Sequence, residues 1–122
     1  MPQRVLILAQ DLVWSDRLAR AVQAAGATPV RVATTDRFAT SLAAADAAIV
    51  DLTAHAYDGV AAIGQASAAA VHVLAVGQHD DRALRKRALD AGAYRVLAYR
   101  KLFEDGPASV AAFLAGRPEV HA

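Results

Sequence analysis

The 122-residue chain contains no cysteine. Disulfides, thiolate metal sites and a thiol nucleophile are therefore excluded, and a reducing compartment suits it. No stretch approaches the roughly 20 apolar residues of a membrane span. The apolar run Val5 to Ala9 is too short for the core of a secretion signal, so the cytoplasm is the expected location. The net charge of +1 points to no partner by itself. The phosphate-binding and nucleophile motifs are missing too. The turn after the first apolar run reads Ala9-Gln10-Asp11-Leu12, with no G-x-G-x-x-G, and neither G-x-x-x-x-G-K-[ST] nor G-x-S-x-G occurs. His55, His72, His79 and His121 form no H-x-x-x-H pair, so no zinc site is expected.

What remains is 56% hydrophobic with a mean hydropathy of +0.26, enough for one globular domain, expected over 1–115 with a tail at 116–122. Much of the apolar content is alanine, so Val, Leu, Ile, Phe and Trp14 must occupy the element centres. Short apolar runs at Arg4–Ala9, Thr28–Ala33, Ala47–Val50, Val71–Val76 and Tyr94–Ala98 read as strands buried on both faces. Helical patterns separate them. Ser15 or Asp16 is predicted to cap the first helix, Thr35 or Asp36 the second, and Asp80 or Asp81 the fourth. The third is predicted from Tyr57 to Ala66. The last runs from Phe103 to Leu114, interrupted near Gly106-Pro107. Gly26 and Gly92 are the expected left-handed helix stops. Strict strand–helix alternation with right-handed crossovers predicts a doubly wound, three-layer α/β/α fold. Its five parallel strands would take the flavodoxin-like order 2-1-3-4-5.

In such a sheet, chemistry collects beyond the carboxyl ends of the strands, which places Asp51, His55 and His79 at that rim. By itself Asp51 suits a loop cap, and Asp11 a helix first turn. Positive charge is concentrated between Arg82 and Lys101, where seven basic residues face Asp90 alone. This is a contact face for an acidic partner or an ordinary solvated helix.

The order of elements, with Ile49-Val50-Asp51-Leu52 at the third strand and Asp90-Ala91-Gly92-Ala93 after the fourth helix, resembles the receiver domain of bacterial two-component response regulators. The likeness runs over nearly the whole chain and is closest to the degenerate, pseudo-receiver branch. It implies that Asp51 stands at the phosphoacceptor position. Two acids after the first strand would hold Mg²⁺, and a hydroxyl and a lysine would contact the phosphoryl oxygens, the usual arrangement of cations around a transferring phosphoryl group. The acid pair, however, falls on Ala9 and Gln10, or with one gap on Gln10 and Asp11. The hydroxyl position falls on Gly77 and the lysine position on Tyr99, followed by Arg100 instead of proline. The aromatic switch position falls on Val96. Losing one charged contact in such a site costs on the order of 3 kcal/mol.

The resemblance therefore implies a stand-alone pseudo-receiver, not an enzyme, acting by protein contact with a sensor kinase or output protein. A homodimer is admitted, and neither nucleic acid nor membrane is an expected partner. Its partner face would comprise Arg82, Arg85, Arg87, Tyr94, Arg95 and Tyr99. No cofactor is expected. If the acidic site is functional, Asp11 and Asp51 would ligate Mg²⁺ and Lys101 or Arg100 would contact phosphate. The competing readings are a working phosphoacceptor at Asp51 and a small-ligand or nucleic-acid module on the same fold.

Overall fold

The computed structural model describes residues 2–78 and 80–116; His79, His121 and all of the predicted tail except Gly116 lie outside them. Five strands, β1 (Arg4–Leu8), β2 (Thr28–Val32), β3 (Ala47–Asp51), β4 (His72–Gly77) and β5 (Val96–Ala98), alternate with five helices. These are α1 (Leu12–Ala24), α2 (Thr35–Ser41), α3 (Gly59–Ala68), α4 (Arg82–Ala91) and α5 (Tyr99–Ala115). The strands form one parallel sheet in the order β2-β1-β3-β4-β5, as the alternation predicts.

The two-residue period of a strand divides the core into two layers. Val5, Ile7, Ile49, Leu74, Val76 and Leu97 meet α1 and α5 through Leu18, Val22, Leu102, Val110 and Phe113. Leu6, Leu8, Ala48, Val50, Val73 and Ala75 face the other way, against Phe38, Leu42, Ile63 and Ala88. β1, β3 and β4 are covered on both sides, which is why their sequences read as unbroken apolar runs. His72 belongs to this packing. It is buried, stacks on the Phe113 ring at 4.5 Å, and places a ring nitrogen 3.1 Å from the Phe113 carbonyl.

Several boundaries differ from the sequence reading. α1 is capped by Asp11, whose Oδ1 accepts from the amides of Val13 and Trp14. Ser15 and Asp16 lie within the helix, and Ser15 Oγ accepts from Arg31 Nε. Thr34, not Thr35 or Asp36, caps α2. Tyr57 precedes α3, which Asp58 caps. Of the two predicted candidates, Asp81 caps α4. In each case the cap sits just before the first helical residue, because only there can a side-chain oxygen reach the free amides of the first turn. β5 begins at Val96, two residues after the predicted start. α5 begins at Tyr99, four residues before its predicted start, and bends at Asp105. Asp105 leaves the helical conformation (φ −152°, ψ 41°), the interruption predicted near Gly106-Pro107, and Pro107 falls in the first turn that follows, where no amide hydrogen is needed.

Gly92 ends α4 at φ +119°, where a Cβ would also strike the Ser67 side chain; Gly26 has φ +86° with open space around it. Alanine at position 26 should cost about 1 kcal/mol, and at position 92 about 2 kcal/mol or more. Urea unfolding of Gly26→Ala and Gly92→Ala checks this: equal losses would contradict the contact with Ser67.

Candidate functional site

β3 presents Ile49 to the α1–α5 side of the sheet, and the strand period then turns Asp51 to the same side. In register, Asp51 pairs with Val76 and Val76 with Leu97. Tyr99, two residues beyond Leu97, opens α5 next to Asp51. Past the strand ends lies a cleft of about 650 Å³ lined by Gln10, Asp11, Trp14, Asp51, Thr53, Ala54, His55, Gln78 and Tyr99.

Asp51 forms the floor of the cleft and is 1% exposed. Its Oδ1 accepts from the Thr53 amide at 3.0 Å, from the Thr53 hydroxyl at 2.9 Å, and from the Tyr99 phenol. The two hydroxyls also touch each other. A buried carboxylate without such donors would be costly, so these bonds hold the end of β3 in place. Trp14 closes the group from above, its ring 4.2 Å from that of Tyr99. Behind Asp51, the Tyr57 phenol donates to the carbonyls of Asp51 (2.8 Å) and Leu8 (3.1 Å), tying β1 to β3. Gln10 joins the two loops above: its Oε1 accepts from the amides of His55 (3.2 Å) and Ala56 (3.3 Å).

Burial is the main cause that pushes the Tyr99 phenol above its ordinary value, aided by the hydrogen bond to Asp51 and opposed by that to Thr53. Tyr57 is also pushed up, by burial first and then by the negative charge of Asp51. Both phenols are thus held in the protonated form that donates.

The structure brings Asp11 and Asp51 into one cleft, but their donor sets do not fit a magnesium site. Asp11 Oδ1 is committed to the α1 cap and Asp51 Oδ1 to Thr53 and Tyr99, and the described cleft lining holds no third carboxylate. Among the described residues no group of three or more acidic or histidine side chains could hold a metal. Lys101 and Arg100 do not turn to Asp51. Arg100 pairs with Glu104 (3.1 Å) and Lys101 with Asp105 (3.7 Å), both one turn along α5. α5 starts at Tyr99, so Tyr99 faces inward and the next two side chains rotate away. Tyr99 consequently leaves the partner face on which the sequence placed it. Gly77 is buried at the end of β4. A Cβ there would meet Leu52 at an ordinary 3.5 Å, so a hydroxyl is missing and not room for one. Val96 is buried. His55 is exposed at the cleft.

The sequence reading passed over Thr53, Trp14 and Tyr57. Thr53, two residues after Asp51, carried a signal: that spacing suits an aspartate that accepts from a following amide. The loop-capping role of Asp51 and the helix-capping role of Asp11 are both observed. Trp14 and Tyr57 carried no local signal, since their contacts depend on tertiary packing.

Two outcomes follow. In a double-mutant cycle, Tyr99→Phe and Asp51→Asn should couple by about 1–2 kcal/mol in urea unfolding, as expected for a hydrogen bond to a charged group; additive losses would contradict the bond. On raising the pH, the unfolded chain releases phenol protons near the ordinary value of 10.0 while native Tyr57 and Tyr99 retain theirs. The unfolded state then binds fewer protons, so stability should fall with increasing pH above about 10. A tyrosinate absorbance titration should show no difference before unfolding between the wild type and either Tyr57→Phe or Tyr99→Phe, since both phenols stay protonated in the native state.

No protein-family model and no curated protein matches the sequence. Solved structures do. The BeF3-activated DrrB receiver domain is 16% identical with a TM-score of 0.81, covering 94% of this chain and 99% of that one. A two-component response regulator from Clostridium difficile is 15% identical with a TM-score of 0.80, covering 93% and 96%. FixJ-N is 18% identical with a TM-score of 0.79, covering 100% and 99%. At these identities the likeness is one of fold: the chain has the fold of the response-regulator receiver domains.

Proposed function

We propose that the chain is a receiver-like signalling domain that acts by protein contact, without phosphorylation of Asp51 and without enzymatic turnover. The observation that carries this reading is the state of the Asp51 carboxylate. A phenol and a hydroxyl occupy its Oδ1, and the described cleft lining contains no Lys or Arg. An incoming phosphoryl group would meet two carboxylates and neither a Lys nor an Arg, the reverse of what phosphoryl transfer needs. On this reading neither magnesium nor another cofactor is required. The cytoplasm suits such a domain, and among the described residues no helix is long and apolar enough to cross a membrane.

The signal would leave through the basic face of α4 and β5. Arg82, Arg85, Arg87 and Arg95 are all exposed, Arg85 and Arg95 beside β5 and Arg87 on the far side of α4, with Arg95 lying 5.7 Å over the Tyr94 ring. Arg85 also donates to the Val96 carbonyl. Arginine and tyrosine in this arrangement suit an acidic protein partner, such as a sensor kinase or an output protein. Nucleic acid is disfavoured, because among the described residues this face offers a single exposed ring, Tyr94, and Arg95 lies over it.

Incubation with acetyl phosphate and Mg²⁺ should leave the intact mass unchanged. A phosphoryl mass gained by the wild type and lost in Asp51→Asn would overturn the proposal and establish a working phosphoacceptor.

A further inference from the structure

We infer that the groove between α1 and α5 binds a single-chain amphiphile with an anionic head group, of the fatty-acid class. Among the described residues the three most exposed large apolar side chains are Leu12 (77%), Phe103 (66%) and Val13 (61%). Leu12 and Val13 line a groove of about 700 Å³, and Arg17, also in its wall, lies 4.7 Å over the Phe103 ring. The floor is apolar. Ala21, Leu102 and Gly106 are buried there, and a Cβ on Gly106 would stand 3.5 Å from that of Ala21. The two helices thus meet through small residues and leave the space above them unfilled. The lining runs from Leu12 to Ala24 on α1, which at 1.5 Å per residue is roughly 18 Å. A trough of that shape suits an extended hydrocarbon chain better than a compact ring system. Exposed apolar surface rimmed by charge in this way marks a binding site.

The charges select the head group. Asp16 in the groove is already held by Arg20 (2.9 Å) and Arg31 (3.8 Å). On α5, Glu104 is held by Arg100 and Asp105 by Lys101. Arg17 is the cation left over on these two helices. It makes no ion pair among the described residues and meets only the rings of Phe103 and Trp14. With one carboxylate between two arginines and a third arginine unpaired, the groove is net positive. A guanidinium is more weakly hydrated than an ammonium and takes a carboxylate in a two-pronged contact. A neutral or cationic amphiphile of the same length would gain the apolar contact alone. One unpaired cation beside a single trough suits one free molecule, not the many head groups of a bilayer. The groove shares no lining residue with the Asp51 cleft and is distinct from the basic surface of α4 and β5, so its test is independent of theirs.

Trp14 is the only tryptophan of the chain and lies 5.7 Å from the Arg17 guanidinium, so its fluorescence reports on the groove. The full chain is titrated with sodium dodecanoate below its micellar concentration, with calorimetry as a second readout for the variants. Saturable one-to-one binding is expected. Decanoate, two methylenes shorter, should bind at least about threefold more weakly, since a methylene taken out of water contributes up to about fourfold. Dodecyltrimethylammonium should bind at least about tenfold more weakly than dodecanoate, as expected for loss of a charged contact. Arg17→Gln should weaken dodecanoate by a similar factor and abolish the preference for the anion. Leu12→Ser should weaken both amphiphiles, whereas Leu89→Ser, on α4 and 40% exposed, should weaken neither. All three positions are exposed, and circular dichroism verifies that each variant is folded. Equal affinity for the two amphiphiles overturns the inference, as does dodecanoate binding that Arg17→Gln leaves intact or that Leu89→Ser weakens as much as Leu12→Ser. It also fails if free dodecanoate does not bind saturably. Co-sedimentation with phosphatidylserine vesicles would then assign the groove to a membrane surface, and a dimer broken by Leu12→Ser would assign it to a second copy.

Discussion

A carboxylate at the end of the central strand, almost wholly removed from water, must find hydrogen-bond donors nearby or destabilise the fold. For Asp51 the donors are Thr53, supplied by the turn that follows, and Tyr99, supplied by the first residue of α5. Much of the surrounding architecture follows from meeting this demand. Tyr99 must face inward, so α5 begins directly after a three-residue β5 and the next two basic side chains rotate outward into ion pairs along their own helix. The phenol's ring needs cover, which Trp14 of α1 provides. Trp14 in turn lies beneath Arg17, which reaches the surface at Phe103. A continuous line of contacts thus joins the buried carboxylate to the exposed α1–α5 face.

The same bonds determine what the site can do. Cation chemistry around a phosphoryl group requires negative ligands free to bind metal and positive groups free to bind oxygen. Here Oδ1 of both carboxylates is committed to protein donors, and the position nearest Asp51 on α5 bears a neutral phenol that burial keeps protonated. Gln10 brings no charge. It fastens the loop after β3 through two backbone amides. These polar residues act as clasps between the loops at the strand ends.

How much of this the sequence displayed depends on the range of the interaction. The sheet order was legible because each strand is a run of apolar residues of strand length and left-handed glycines follow α1 and α4. Gly92 at φ +119° is the clearest instance. Asp51 at the strand end and Gly77 beside it were legible by counting along those elements. Tyr99 was half legible. Counting from Gly92 placed it beside Asp51, yet its residue type suggested an exposed contact residue, because aromatic and basic neighbours in sequence do not reveal which of them turns inward. That is decided by the residue at which α5 begins, a boundary moved by the short β5 and by the bend before Pro107. The Trp14–Tyr99 and Tyr57–Leu8 contacts were illegible, since each joins residues more than forty apart in the chain.

The central claim is that Tyr99 and Thr53 hold the Asp51 carboxylate closed to magnesium and to a phosphoryl group. The most direct measurement is a titration with Mg²⁺ and then beryllofluoride, followed through the backbone amides of Asp11, Asp51, Thr53, Gly77 and Tyr99 by NMR. The predicted result is no saturable shift at any of them. Saturable shifts centred on Asp51 and Asp11 would contradict the account and mean that the site is open.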